Sequence, residues 1–212
     1  AVGSALLLDL LKFNDFKTIS TVGRREIKYD GNNKEILKQK IIDFENLDQY
    51  KEEFVGHDVV FNTFGTTRAL AGSAENFERI DKGYVIRSAK IIKELNPDKE
   101  IHFLYCSAMN SNPNSQLLYP RVKGEIEKEL GDIGFKKVSI FRPGYLKVEK
   151  RPENRRFEHL IVSAFSSVLD FVAPKRWGVH VDIVGRAMRK VGTGKAKTET
   201  EIKVLENGTI FE

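Results

Sequence analysis

Tyr119 and Lys123 stand four residues apart in the stretch YPRVKGE, a spacing that places both side chains on one face of a helix. A tyrosine phenol with its ordinary pKa of about 10 transfers protons poorly at neutral pH, and a neighbouring ammonium lowers that pKa by favouring the phenolate. Ser107 ends an apolar run twelve residues before Tyr119 and can donate a hydrogen bond to a carbonyl. The three residues predict proton transfer at a carbonyl or alcohol oxygen.

Arg24 and Arg25 follow Gly23 at the end of an apolar run. In dinucleotide-binding folds an acidic residue at this place accepts the ribose hydroxyls of NAD, whereas arginine binds the 2′-phosphate of NADP. The pair therefore favours NADP(H). Simpler explanations stay open for all these residues: a tyrosine and a lysine at this spacing also occur by chance, Ser107 suits a turn, and paired arginines are common on solvated surfaces.

The elements that would position these residues alternate between strand and helix patterns. Apolar strand patterns cover 17–23, 38–44, 57–64, 100–106, 136–144 and 201–206, and helical patterns cover 1–13, 46–54, 74–95, 119–130, 159–169 and 181–191. Strands that are apolar on both faces and separated by helices are typical of a parallel sheet covered on both sides. We therefore predict a doubly wound, Rossmann-type α/β fold in one domain over residues 1–212, with a substrate-side region from about 145.

The first helical pattern begins at Ala1 without the strand and glycine turn that open such a domain. Removing a central strand would leave the ladder groups of its neighbours unpaired. We therefore expect the first strand and the start of a glycine-rich loop to precede Ala1, with Gly3 as the last glycine of that loop.

Ligands of doubly wound sheets bind beyond the carboxyl ends of the strands. The run FNTFGTT breaks a strand at Phe64 and Gly65, where small residues let a ligand approach the backbone and Thr66 can meet its polar groups. Leu146, after the turn at Pro143, could border a nicotinamide, although the turn is equally well explained as a strand end. Arg155 could bind a phosphate, although a solvated arginine is the simpler explanation.

Composition excludes several classes of function. The net charge of +5 comes from 35 basic and 30 acidic residues spread along the chain, without the basic stripe and exposed aromatics of a nucleic-acid-binding surface. No apolar run reaches the length of a membrane-spanning helix. Cys106 is the single cysteine, which excludes an internal disulfide and fits a reducing compartment, and the four histidines lack metal-ligand spacing.

Several motifs, in this order and spacing, resemble the atypical short-chain dehydrogenases of the Tat-interacting-protein family. They are GRR, GHDVVFNTFGTTRALAG, FERIDKGYVIRSA, YPRVKGEIE and FRPGYL. The resemblance runs from residue 1 to about 165 and implies an NADPH-binding Rossmann domain. It places Ala1 and Val2 in the dinucleotide loop, Arg24 and Arg25 on the 2′-phosphate, and Phe64 and Gly65 beside the adenosine half. It also places Tyr119 and Lys123 at the catalytic centre and Leu146 and Arg155 along the cofactor.

We therefore expect an NADP(H)-dependent oxidoreductase that transfers hydride to or from a small carbonyl or alcohol substrate. In this reading Tyr119 is the acid or base, Lys123 tunes it and binds ribose, and Ser107 orients the carbonyl. The alternative is a regulatory NADPH-binding protein with protein partners and little turnover, since family members act through such partners. Neither nucleic acid, metal nor an integral membrane segment is expected, and the expected location is the cytoplasm or the outer surface of mitochondria.

Overall fold

The strands of this computed structural model, which describes residues 1–148, 178–195 and 202–211, all pair in parallel. They are β1 Ile19–Gly23, β2 Leu37–Ile41, β3 Val59–Asn62, β4 His102–Cys106, β5 Lys137–Arg142, β6 Tyr145–Lys147, β7 Gly178–His180 and β8 Ile202–Glu206. A four-stranded sheet has the order β3-β4-β5-β8, while β1-β2 and β6-β7 form separate pairs. The parallel α/β fold predicted from the sequence is confirmed.

Helices connect these strands. They are α1 Val2–Phe13, α2 Arg68–Ala71, α3 Ala74–Glu78, α4 Tyr84–Leu95, α5 Leu118–Asp132 and α6 Val181–Gly192, with 3-10 segments at Lys34–Ile36, Phe44–Phe54 and Thr209–Phe211. Among the described residues, none of the helices is long and apolar enough to cross a bilayer. The same residues contain no group of three His, Cys, Asp or Glu side chains that could hold a metal ion.

The single helix predicted over 74–95 is interrupted. Between α3 and α4 lies a π-helical turn, Arg79–Gly83, which adds one residue per turn to the helix. Asp81, in the middle of this turn, is fully buried. The apolar stripe on its own cannot reveal this interruption, because Phe77, Asp81 and Val85 keep the regular spacing of four that an α-helix would also have.

Helices cover the four-stranded sheet on both faces. Alternate residues of β4 accordingly pack into two different core clusters. Phe103 and Tyr105 pack in a cluster with α4, α5 and the 3-10 segment after β2. Leu104, between them, packs in a second cluster with α1 and α6. Successive side chains of a strand point to opposite faces, so apolar residues are needed at every position of a strand covered on both sides.

Helices α1 and α6 approach each other at Gly185. A Cβ atom there would lie 2.8 Å from the backbone nitrogen of Leu6. The buried guanidinium of Arg189 on α6 ties the pair together, because its Nε lies 2.6 Å from Asp9 Oδ2 and its Nη1 lies 2.6 Å from Asp15 Oδ2. Close backbone contact and a compensated charge therefore fix α1, the helix that carries the predicted dinucleotide loop.

Some sequence expectations are changed or stay open. The short pair β6-β7 and the helix α2 were not predicted. The helix expected at 159–169 lies outside the described residues. The expectation of one domain with an additional first strand stays a prediction.

We predict that Gly185→Ala destabilises the fold by about 1–3 kcal/mol, because the added methyl group meets backbone atoms that cannot move without separating α1 from α6. Gly83→Ala is the matched control, since Gly83 also has helical dihedral angles and a Cβ there meets no atom within 4 Å. Urea unfolding monitored by circular dichroism measures both. Equal stability of the two variants would contradict the close contact described for Gly185.

Candidate active site

The Lys123 side chain is the centre of the candidate site. It is only 4% exposed and projects from α5 toward the end of β4, where Nζ donates a hydrogen bond of 3.0 Å to Tyr105 Oη. Nζ also lies 2.6 Å from Asp81 Oδ2. Burial opposes the charge of Lys123, but the neighbouring groups, foremost Tyr105 and Asp81, outweigh it and raise the pKa of the ammonium above its ordinary value. Lys123 is therefore a buried, charged lysine.

The turn after β3 is fastened to the same carboxylate. The Thr66 N–H donates to Asp81 Oδ1 at 2.6 Å. A Cβ at Gly65 would lie 3.2 Å from Asp81 Oδ1 and 3.6 Å from Lys123 Nζ. Glycine at 65 therefore has a structural reason in addition to the predicted ligand, because a side chain there would crowd the ion pair.

Tyr119 lies beside Lys123 with its ring partly in solvent. The Lys123 Nζ is 5.9 Å from the Tyr119 ring centroid, and the opposite contact of the ring is Phe77, with 5.9 Å between centroids. Burial raises the pKa of the Tyr119 phenol, the charge of Lys123 lowers it and that of Asp81 raises it, with a net shift upward. Since Tyr119 is 45% exposed, solvent reduces the size of this shift. The expected lowering by Lys123 is thus present but is outweighed.

Ser107 has a different set of neighbours from the one that the sequence suggested. Its buried hydroxyl donates to Glu127 Oε1 at 2.5 Å and lies 3.0 Å from Ser111 Oγ. Glu127 is one helical turn beyond Lys123 on α5 and is paired with Arg142. The structure thus brings Ser107 to the same helix face as Tyr119 and Lys123, but its hydroxyl bonds to a carboxylate there.

The loop between β4 and α5 packs onto the first turns of α5. The Asn112 N–H donates to the Pro120 carbonyl at 2.9 Å. A Cβ at Gly124 would lie 2.3 Å from Pro113 N. Glycine at 124 thereby lets the loop backbone touch the helix, and the loop frames the approach to Tyr119 and Ser107.

The predicted 2′-phosphate ligands reach the same region through Phe64. Arg24 and Arg25 are exposed after β1, and neither forms an ion pair with another described residue. The guanidinium carbon of Arg24 is 6.0 Å from the ring centroid of Phe64. Phe64 packs against Phe44 and precedes Gly65, whose backbone lies close to Lys123, so Arg24, Phe64, Gly65 and Lys123 are near neighbours in that order.

The remaining predicted cofactor residues are placed as follows. Ala1 is exposed before α1, Val2 is buried in the core, so that only its backbone is available to a ligand, and a Cβ at Gly3 would lie 2.5 Å from Thr63 Oγ1 after β3. Leu146 lies on β6 and packs at the edge of the core. Arg155 lies outside the described residues. Each assignment to the cofactor stays a prediction.

Asp81, Tyr105 and Glu127 were missed by the sequence reading. A signal existed for Asp81: it stands four residues from both Phe77 and Val85, on the stripe that the helix buries. A carboxylate on such a stripe needs a buried cation. Tyr105 and Glu127 carry no comparable signal, since a tyrosine in a strand and a glutamate in a helix are ordinary.

The chain is similar in sequence to two groups of known proteins. The chain is 37% identical over 211 residues to protein HTATIP2 of Rattus norvegicus, a match that covers 99% of this chain and 83% of the relative. It is also 36% identical over 151 residues to a Candida albicans protein named "Protein FMP52, mitochondrial". That match covers 71% of this chain and 65% of the relative. No family model matches the chain.

Solved structures of short-chain dehydrogenases have the same fold. An oxidoreductase of this class from Burkholderia thailandensis superposes with a TM-score of 0.70 over 99% of this chain and 88% of its own, at 14% identity. A putative 2-deoxy-D-gluconate 3-dehydrogenase from Agrobacterium tumefaciens, solved with bound NADP, gives a TM-score of 0.69 over 99% of this chain and 91% of its own, also at 14% identity.

We predict that the Tyr119 phenol titrates above its ordinary value of 10 in the protein without ligand, because burial and Asp81 outweigh Lys123. The measurement is the phenolate absorbance of the wild-type chain minus that of Tyr119→Phe as the pH is raised. A difference signal whose midpoint lies below pH 10 would mean that Lys123 dominates instead.

Proposed function

The chain belongs to the Tat-interacting-protein family of short-chain dehydrogenases, and we propose that it binds NADP(H) and transfers hydride to or from a small carbonyl or alcohol substrate. Its fold is that of NADP-binding oxidoreductases. The atypical type, the hydride transfer and the roles of individual residues are parts of this proposal.

The observation that carries the proposal is the placement of Arg24 beside Phe64 and of Gly65, the next residue, close to Lys123. A phosphorylated dinucleotide needs cationic side chains at one end, an open backbone in the middle and a ribose ligand beside the reacting centre. Arg24 follows β1 of the two-stranded pair, and Gly65 and Lys123 lie at the end of the four-stranded sheet, so the three features follow one another in that order. A protein that used the arginines for another purpose would have no need of this order.

The residues fit the cofactor by chemistry as well as by position. Arg24 and Arg25 would hold the 2′-phosphate, because guanidinium groups bind phosphate through paired hydrogen bonds. An ammonium has three N–H donors. Lys123 donates one of them to Tyr105 Oη, and a second faces Asp81, with which the ammonium forms an ion pair. The third is available for ribose hydroxyls. When bound, NADPH supplies the hydride.

Tyr119 would move the proton of this reaction. In the direction of reduction, its hydroxyl donates a proton to the carbonyl oxygen while the carbonyl carbon gains the hydride, and a proton from water restores the phenol. The raised pKa of Tyr119 means that the phenol carries a proton to donate at neutral pH, but it also makes that phenol a weaker acid than an ordinary tyrosine. Ser107 could assist only if its hydroxyl turned from Glu127 toward the substrate.

A second function, regulatory NADPH binding with little turnover, is favoured by the state of that serine. Ser107 is already bonded to Glu127, which in turn is held by Arg142. A binding protein needs the arginines and Lys123 but not an active proton donor. Under this alternative, occupancy by NADPH would set the surface that protein partners recognise.

The proposed location is the cytoplasm or the outer surface of mitochondria. The fungal relatives are named mitochondrial, which supports the second of these for this chain as well. The proposed partners are a small carbonyl compound as substrate and, under the regulatory alternative, other proteins.

We predict that the double variant Arg24→Ala/Arg25→Ala lowers the preference for NADPH over NADH at least tenfold, because the 2′-phosphate loses its charged ligands. Fluorescence titration with each nucleotide measures the ratio of the two dissociation constants. Arg186→Ala is the control, since Arg186 is an exposed arginine on α6, far along the chain from β1. An unchanged ratio in the double variant would contradict the assignment.

We predict that Tyr119→Phe lowers NADPH oxidation about 100-fold with any aldehyde, ketone or quinone that the wild type reduces, while NADPH affinity changes little. Tyr50→Phe serves as the control, because Tyr50 is a partly buried tyrosine that packs against the core and has no assigned role at the site. Equal rates in Tyr119→Phe and wild type would exclude the proposed proton transfer. Absence of turnover by the wild type across the panel, with tight NADPH binding, would favour the regulatory alternative.

A further inference from the structure

Asp81 is the most deeply buried acidic side chain at the candidate site. It lies in the π-helical turn Arg79–Gly83 and has no exposed surface. π-helical turns are rare and are often found at functional sites. A carboxylate is costly to bury unless a cation and hydrogen-bond donors meet it, so its contacts indicate why it is there.

Each oxygen of Asp81 contacts a different part of the site. Oδ1 accepts the Thr66 N–H at 2.6 Å, on the turn after β3. Oδ2 lies 2.6 Å from Lys123 Nζ on α5. That second contact is an ion pair by distance, although Oδ2 accepts no well-aligned hydrogen bond from a described group. One side chain thus joins three separate segments of the chain.

Asp81 is the neighbour that compensates the charge of Lys123. Tyr105, the other close contact, is a neutral hydrogen-bond partner at 3.0 Å. A buried lysine without an anion loses its proton readily, and a neutral amine would bind ribose hydroxyls less strongly. The carboxylate therefore supplies the negative charge beside the amine, while the hydrogen bond to Tyr105 helps to orient it.

A comparable buried pair in the protein has a different setting. Arg189 pairs with Asp9 at 2.6 Å and joins α1 to α6, where its role is to hold two helices together. The pair of Asp81 and Lys123 has the same length but joins the turn at Gly65 and Thr66, assigned to the cofactor from the sequence, to the helix of Tyr119. This difference suggests a role in binding in addition to stability.

We propose that Asp81 is a positioning residue of the cofactor site, which acts through Lys123 on the nicotinamide-side ribose and through Thr66 on the turn beside the adenosine half. This inference rests on the proposed function. Asp81 itself touches neither cofactor nor substrate in this role. It fixes two ligands whose separation must match the length of the dinucleotide.

The two contacts can be separated by substitution. Asp81→Asn retains an oxygen that accepts from Thr66 but removes the negative charge beside Lys123. Asp81→Ala removes both. The probes are NADPH, which spans the whole site, and adenosine 2′,5′-bisphosphate, which carries the 2′-phosphate but no nicotinamide half.

We expect Asp81→Asn to weaken NADPH binding at least tenfold and to change binding of adenosine 2′,5′-bisphosphate less than twofold, both measured by calorimetry. Asp81→Ala should weaken both probes. If Asp81 had only a structural role, Asp81→Asn would weaken the binding of both probes by similar factors. Glu53→Gln is the control, because it breaks the ion pair between Glu53 and Lys40 on β2, two residues with no assigned role at the site, and we expect it to leave both affinities within twofold.

A double variant protects the test against misfolding. Lys123→Met leaves the buried Asp81 carboxylate without a cation, and Asp81→Asn leaves the buried Lys123 ammonium without an anion. The double variant removes both charges, so no buried charge is left uncompensated. If Asp81 acts through Lys123, the double variant should bind NADPH within twofold of Lys123→Met. Multiplied losses in the double variant would overturn the inference.

The remaining outcomes separate the inference from the proposed function. Wild-type NADPH affinity in Asp81→Asn would overturn the role of Asp81 and leave NADP(H) binding intact. Failure of the wild-type chain to bind either NADPH or adenosine 2′,5′-bisphosphate would instead overturn the proposed function, and with it the inference that depends on it.

Discussion

A buried ammonium group is the constraint on which the candidate site depends. Lys123 is almost inaccessible to water, and an uncompensated cation in such a place would lose its proton or destabilise the fold. Asp81 supplies the opposite charge at 2.6 Å. Because the same carboxylate accepts the Thr66 N–H, compensation of the charge also fixes the turn after β3. The electrostatics of the site and the shape of its backbone therefore have one cause.

The parallel sheet explains why these groups can meet at all. Strands β3 and β4 run side by side with Asn62 opposite Tyr105, so the turn after one strand lies next to the end of the other. Parallel strands end at the same sheet edge, and their connecting helices return to it. The π-helical turn before α4 then places Asp81 between that edge and α5. Residues more than 50 positions apart in the chain, Thr66 and Lys123, thereby share one carboxylate.

The two functions that we consider use the same residues, and they differ in whether a proton is transferred to the substrate. The proposed binding of NADP(H) would depend on the arginines, the open backbone at Gly65 and the charge of Lys123. Turnover further depends on a phenol that can exchange its proton with substrate. In the described structure burial raises the pKa of Tyr119 and Asp81 offsets part of the effect of Lys123, so the phenol is less activated than a tyrosine beside an isolated lysine would be. The arrangement therefore supports binding more directly than it supports catalysis.

The sequence by itself determined the fold class, because apolar strands alternating with helices leave few alternatives to a covered parallel sheet. It also brought Tyr119 next to Lys123, since a spacing of four on a helix is a local property. It could not reveal that Lys123 is paired with Asp81, that Ser107 bonds to Glu127, or that the helix over 74–95 contains a π-helical turn. Those features depend on contacts between segments distant in the chain. Only tertiary packing decides which buried charge meets which partner.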